Sequence, residues 1–348
     1  MRTQRHLPSA GAARTVRPDG GGCRCPAYRG GMSETRQSLR SIVAGVDFTP
    51  AAEGALHRAA DLAAAYGATL RVVHAFGWPT LVDAAGAATA DLVRDLLATA
   101  ESELERMVAP LRERGLAVHA EVSVGPAAAV VLGAARHGAD LVVTGTRRLA
   151  GVKHALLGST TQRVLERAPC PVLVVHEEDG RRALRPSRVL VATDLSSGSL
   201  AGVRAAASLL GLGEHDPLTL LHVCPPQVQP ALSPTLLPPH GADRETVESL
   251  RWQLAEAANE LRAAGLRVEA EIREGEVART IVDVARERNS ELVLVGTRGL
   301  TGLAHLLLGS TAARVVQQAP CPVLVVPAPM TAAQPVLRAT AESSLARA

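Results

Sequence analysis

The chain has 348 residues, a formal net charge of +3 and 47% hydrophobic residues. That length allows two domains of ordinary size with tails, each able to bury its own core. Aromatic residues are only 2% and no basic run interleaves with them, which argues against a nucleic-acid partner, and the apolar stretches are strand-length, so no membrane span is expected.

Residues 1–37 are rich in Arg, Gly, Pro and Ala without apolar periodicity, and read as a disordered extension. Met32 stands shortly before the first strand, so residues 1–31 are expected to be dispensable. The first domain is read as 38–177. Ser41 to Val46 reads as a strand ending in Asp47-Phe48-Thr49-Pro50, with Thr49 as cap and Pro50 in the first turn of a helix to Tyr66. A second strand, Thr69 to Ala75, carries His74. After a flexible stretch come a long amphipathic helix from Ala90, a strand over Leu116–Val124, a helix from Pro126 and a strand over Ala139–Thr144. A glycine loop, a helix over Thr160–Arg167 and a strand over Pro171–His176 close the unit.

A charged linker, 178–186, leads to a second domain, 187–327, which runs through the same cycle. Asp194-Leu195-Ser196 follows its first strand and His222 lies on its second. A Pro-rich loop follows, then a long helix, and the tail 328–348 reads as disordered. Strands alternating with helices predict an open, mostly parallel doubly wound sheet. Ligands of such sheets bind beyond the carboxyl ends of the strands, where the strand order switches.

Both domains carry one glycine pattern. Gly296-Thr297-Arg298-Gly299 is followed by nine residues and then Gly309-Ser310-Thr311. Gly145-Thr146-Arg147-Arg148, nine residues and Gly158-Ser159-Thr160 stand 151 positions earlier. The same offset relates Ala168-Pro169-Cys170-Pro171-Val172-Leu173-Val174-Val175 to Ala319–Val326, so the chain is a tandem duplication. Strand, glycine loop and helix start together suit an anion, because glycine permits positive φ and close approach while the helix offers free N–H groups. The alternative is a turn that needs glycine for geometry alone. The chain's sole lysine, Lys153, follows Val152, which excludes a Walker-type phosphate loop.

Asp47 and Asp194 sit at the expected binding edge, where a carboxylate can meet ribose hydroxyls or Mg2+, or else cap a helix. Thr49 and Ser196 read as caps. His74 and His222 read as structural, and His154 and His305 lie in the glycine loops. Cys170, Cys224 and Cys321 read as small buried apolar residues. Cys23 and Cys25 lack metal spacing, and the cysteine usage fits a reducing cytosol.

With the two glycine loops, the Asp-x-Ser after a first strand and the paired Ala-Pro-Cys-Pro-Val-Leu-Val-Val strands in view, the sequence resembles the universal stress protein family in its tandem form. The resemblance implies two five-stranded doubly wound α/β domains with strand order 3-2-1-4-5, and ATP as ligand, with Mg2+ as its companion. It implies that Gly296, Arg298, Gly299, Gly309, Ser310 and Thr311 hold phosphate, that Asp194 holds ribose, and that backbone near Val223 meets adenine. In the first domain the matching residues are Gly145, Gly158, Ser159, Thr160, Asp47 and Val73. Arg148 departs from the pattern where the second copy has Gly299, so the second site is expected to bind more tightly. The resemblance further implies a cytoplasmic stress-response regulator with at most slow ATP hydrolysis and unidentified protein partners. The alternative is a nucleotide-free interaction scaffold. Fifth strands usually pair in this family, so the two copies are expected to pair within one chain, which leaves a homodimer optional.

Overall fold

A computed structural model describes residues 39–77, 87–146, 157–177, 179, 187–225, 244–297 and 308–327. The terminal extensions, most of the linker, the Pro-rich loop, and Arg148, Lys153, His154, Arg298, Gly299 and His305 lie outside the described residues.

The first half comprises β1 (Ser41–Val46), α1 (Pro50–Tyr66), β2 (Thr69–Phe76), α2 (Ala87–Glu113), β3 (Val118–Val124), α3 (Ala127–Arg136), β4 (Leu141–Thr146), α4 (Ser159–Arg167) and β5 (Val172–His176). The second half repeats this series. Its elements are β6 (Val189–Ala192), α5 (Ser197–Leu209), β7 (Pro217–Cys224), α6 (Arg244–Ala263), β8 (Arg267–Glu274), α7 (Val277–Glu287), β9 (Leu292–Gly296), α8 (Ser310–Gln318) and β10 (Val323–Val326). All ten strands form one sheet in the order β3-β2-β1-β4-β5-β10-β9-β6-β7-β8, so each half shows the order 3-2-1-4-5. Neighbours are parallel except β5 and β10, which are antiparallel.

The central strands are unbroken apolar runs because helices cover both their faces. Val172–His176 and Val323–Val326 are buried throughout. One face packs against α1, α2, α5 and α6, the other against α3, α4, α7 and α8. Thr49 accepts from the Ala52 N–H at the start of α1, and Gly67 ends that helix at φ 66°, which glycine adopts without a Cβ penalty. Cys170, Cys224 and Cys321 are buried. Burial, reinforced by the Asp140 charge, pushes the Cys170 thiol up to about 12, in keeping with a packing role.

A carboxylate pins the start of each first strand. Asp140 Oδ2 accepts from the Arg40 N–H at 2.8 Å and the Ser41 N–H at 2.9 Å. Its counterpart Glu291 accepts from the Ser187 N–H at 2.6 Å and Arg188 Nη2 at 2.7 Å. Burial by itself would raise the Glu291 carboxyl. The Ser187 hydrogen bonds and the Arg188 charge outweigh it and hold the group below its ordinary value. A depressed folded value contributes stability above the unfolded value, about pH 4 for Glu, and that contribution is lost as pH falls through the folded value. Glu291→Gln is therefore expected to cost about 1 kcal/mol at neutral pH. The gap to the parent should close in acid, as read by denaturant titration at several pH values. An equal gap at pH 7 and pH 3 would contradict this.

The expected pairing of fifth strands is present. Leu173 faces Leu324, its equivalent 151 positions on, so a pseudo-two-fold axis passes between them. Pairing removes two apolar edges that would otherwise expose backbone groups. Tyr66 at the end of α1 donates its hydroxyl to the Leu210 carbonyl at the end of α5. His176, 1% exposed, lies 3.0 Å through Nδ1 from Asp179 Oδ2 and 2.8 Å through Nε2 from the Val316 carbonyl of α8.

Candidate functional site

In the first half the switch in strand order falls between β1 and β4, with β2 and β5 on their outer sides. A cleft of about 370 Å3 opens at the carboxyl ends of these strands. Asp47, Val73, Gly145, Gly158, Ser159 and Thr160, expected from sequence as site residues, all line it.

Gly145 is not in a loop. It is the penultimate residue of β4, and its φ is not positive. The turn reasoning is corrected here: the glycine is required by packing. A Cβ on Gly145 would stand 2.3 Å from the Ala51 carbonyl oxygen and 2.8 Å from the Ala52 nitrogen, both backbone atoms of α1. This close approach brings the start of α1 over the end of β4 and shapes one wall of the cleft. Gly296, likewise, is the last residue of β9 and has no positive φ.

Gly158 is the N-cap of α4 at φ −55° and ψ 138°, with no side-chain cap. Among the described residues, a Cβ there would meet nothing within 4 Å. The first turn of α4 therefore has N–H donors without a side-chain cap and the positive end of its dipole. The start of α8 likewise has no side-chain cap, but its glycine has a close neighbour. Gly309, the N-cap of α8, donates its N–H to the Thr297 carbonyl at 3.0 Å, and an added Cβ would stand 3.1 Å from that oxygen. Ser310 is exposed and Thr311 half-buried.

The two aspartates share one geometry. Asp47 Oδ1 accepts from the Thr49 hydroxyl at 2.6 Å, and Asp194 Oδ1 from the Ser196 hydroxyl at 2.7 Å. Each hydroxyl in turn accepts from the first turn of its helix, at Ala52 and at Ser199. The caps are thus Thr49 and Ser196, and each aspartate holds its cap in place. Phe48 and Leu195, between aspartate and cap, have φ 59° and 64°. Bulky residues at positive φ are strained, and the strain falls at the same position in both copies. No sequence signal flagged it, since glycine or asparagine is the usual residue there.

His74 Nδ1 lies 2.9 Å from the Val46 carbonyl, and its ring is 4.2 Å from that of Phe48. His222 Nδ1 lies 2.9 Å from the Thr193 carbonyl. Both histidines tie the second strand to the end of the first. They also fix equivalence: His74 matches His222, so Val223 matches Ala75 and not Val73. Val73 and Ala75 both line the first cleft, and Val73 and Val223 are both buried in the same core cluster.

Thr144 and Thr161 also line the first cleft and were not singled out from sequence. Their hydroxyls lie 3.3 Å apart, and the Thr161 hydroxyl donates to the Gly145 carbonyl at 3.2 Å. Their counterparts are Val295 and Ala312, both apolar core residues, so the copies differ in polarity beneath the glycines. Among the described residues, no three His, Cys, Asp or Glu side chains are grouped to hold a metal, and no helix is long and apolar enough to cross a membrane.

These features define a doubly wound α/β fold built twice over. The model of the universal stress protein family matches residues 38–176 and 186–327. The chain belongs to that family. It is 29% identical over 298 residues to a universal stress protein of Mycolicibacterium smegmatis, covering 82% of this chain and 96% of that one. Another, from Mycobacterium tuberculosis, is 32% identical over 306 residues, covering 84% and 98%. Among solved structures, a universal stress protein of Archaeoglobus fulgidus superposes with a TM-score of 0.63 at 19% identity, covering 83% of this chain and 98% of that chain. At that identity the likeness concerns the fold.

Proposed function

We propose that the protein is an adenine-nucleotide-binding stress-response regulator, with ATP held in the cleft at the carboxyl edge of each half, taken as 38–177 and 187–327. The observation that carries this is the start of α4 at Gly158, without a side-chain cap and, among the described residues, with nothing within 4 Å of an added Cβ, lining one cleft with Asp47. A phosphate chain suits N–H donors at a helix start, and a carboxylate suits ribose hydroxyls. Ser159 and Thr160 add hydroxyl donors, and Val73 and Ala75 supply an apolar strand end for the base. Mg2+ would accompany the phosphates. In the second half Asp194, Val223, Gly296, Gly309, Ser310 and Thr311 would serve, with Arg298 and Gly299 between them. The described side chains of the first cleft suit holding the nucleotide better than rapid hydrolysis, because the nearby His74 is committed to a carbonyl.

A second reading rests on Gly309. Its N–H and its Cβ direction are both taken up by Thr297, as in a glycine that serves only a turn. On this ground we rank the first cleft ahead, against the order suggested by Arg148 and Gly299. Calorimetry with ATP and magnesium is expected to give saturable heat. Asp47→Ala should weaken it at least tenfold and Asp194→Ala less. The reverse order would restore the second cleft as the tighter one, and no heat at millimolar ATP would leave the scaffold.

A further inference from the structure

A cavity of about 550 Å3 is lined by residues of both halves and, among the described residues, shares none of them with the first cleft. Its apolar lining includes six leucines: Leu62 from α1, Leu141 from β4, Leu173 from β5, Leu210 just after α5, Leu292 from β9 and Leu324 from β10. All six are at most 5% exposed. Leucines of both halves meet here because β5 pairs with β10. Cavities of roughly 300–1,000 Å3 at domain interfaces, apolar with a few placed polar groups, are the usual form of small-molecule sites.

The two copies of the repeat differ at this cavity. Ser290 and Asn289 line it, whereas 151 positions earlier stand Ala139 and Gly138. Ser290 is 5% exposed. Its N–H donates to the Ala285 carbonyl at 2.9 Å, and its hydroxyl has no hydrogen-bond partner among the described residues. A buried hydroxyl left unpaired costs free energy, a cost that alanine avoids in the first copy. Asn289 holds φ 49° where Gly138 holds 88°, so a polar side chain is kept in a conformation that glycine adopts more readily. The charged groups that line the cavity are engaged. Arg188 pairs with Glu291, Arg286 pairs with Asp283, and Arg58 Nη2 donates to the Asp179 carbonyl at 3.0 Å. A charged guest would have to compete with these contacts or be buried without a counter-ion, which is costly. A neutral guest with one polar group leaves them intact and satisfies the Ser290 hydroxyl. We infer that the cavity is a second binding site, distinct from the nucleotide cleft, for a neutral molecule with an apolar body and one hydroxyl or carbonyl group. The body rests on the leucines and the polar group meets Ser290 Oγ.

The test uses the full chain with 1-octanol as probe, followed by calorimetry. Saturable binding is expected, unchanged by saturating ATP. Affinity should fall about fourfold for each methylene removed in the series octanol, heptanol, hexanol. Octanoate at pH 8 carries a charge on a body of the same length and should bind at least tenfold more weakly than octanol. Ser290→Ala installs the first copy's residue. It should weaken octanol about fivefold, the worth of one neutral hydrogen bond, and leave the affinity for toluene, which has no polar group, unchanged. Leu210→Trp narrows the cavity and should abolish binding of both probes while the far-ultraviolet circular dichroism stays that of the parent. Leu62→Trp provides the same test from α1 should Leu210→Trp fail to fold. The proposal is overturned if octanol does not saturate, if the chain-length series is flat, if octanoate binds as tightly as octanol, if ATP competes, if Ser290→Ala weakens toluene as much as octanol or neither, or if a folded cavity-filling variant binds as before.

Discussion

Gly145→Ala is expected to destabilise the protein by about 3 kcal/mol or more. The added carbon would stand 2.3 Å from a backbone carbonyl oxygen and 2.5 Å from its carbon, both in Ala51. Neither can swing away, because Ala51 lies in the first turn of α1, and that turn is fixed by Pro50 and by the Thr49 cap. Relief requires moving α1 off β4, which opens the core between them. Gly45 provides the contrast. There the obstruction at 2.7 Å is a Val131 methyl group, which can rotate, so Gly45→Ala should cost less. Gly158→Ala should cost about 1 kcal/mol or less, since among the described residues its Cβ meets nothing within 4 Å and the loss is that of a poorer cap. Denaturant midpoints for the three variants give the order. A Gly145→Ala protein as stable as the parent would show that α1 is not held against β4.

The second large effect is expected at the junction of the halves. His176→Leu removes one partner of a buried pair, leaving the Asp179 carboxylate at 1% exposure without the imidazole and the Val316 carbonyl without its donor. Truncating one member of such a pair typically costs about 3–5 kcal/mol. Replacing both members with apolar residues is often close to neutral, so His176→Leu with Asp179→Leu should recover much of the loss. The double-mutant cycle reads this directly. A single variant within 1 kcal/mol of the parent, or a double variant no better than the single, would contradict it.

The duplication explains how much of this was legible in advance. The 151-residue offset predicted that the fifth strands pair within the chain, because two identical apolar edges bury each other most simply by pairing, and the structure adds the register that sets Leu173 opposite Leu324. Apolar run lengths and caps at Thr49 and Ser196 located the elements. Four features were not legible. The reason for Gly145 lies in the backbone of α1, nearly a hundred positions away, and contacts of that range leave no local pattern. The positive φ of Phe48 and Leu195 is imposed by tertiary structure on residues that do not favour it. The spacing between copies is 147 at the aspartates and 148 at the histidines, not 151, which is why Val73 and Val223 are not equivalents. The interdomain cavity is lined by residues of both halves, among them Leu141, Leu173, Leu292 and Leu324, which meet across an axis that a linear sequence does not display.

The claim that the carboxyl-edge clefts hold an adenine nucleotide is tested most directly by photolabelling the full chain with 8-azido-ATP and mapping the modified peptides. The account predicts attachment at the end of β2, within Val73–Phe76, with the end of β7 around Val223 labelled more weakly, and loss of both signals under excess ATP. Label that is not displaced by ATP, or that falls away from these strand ends, would contradict it.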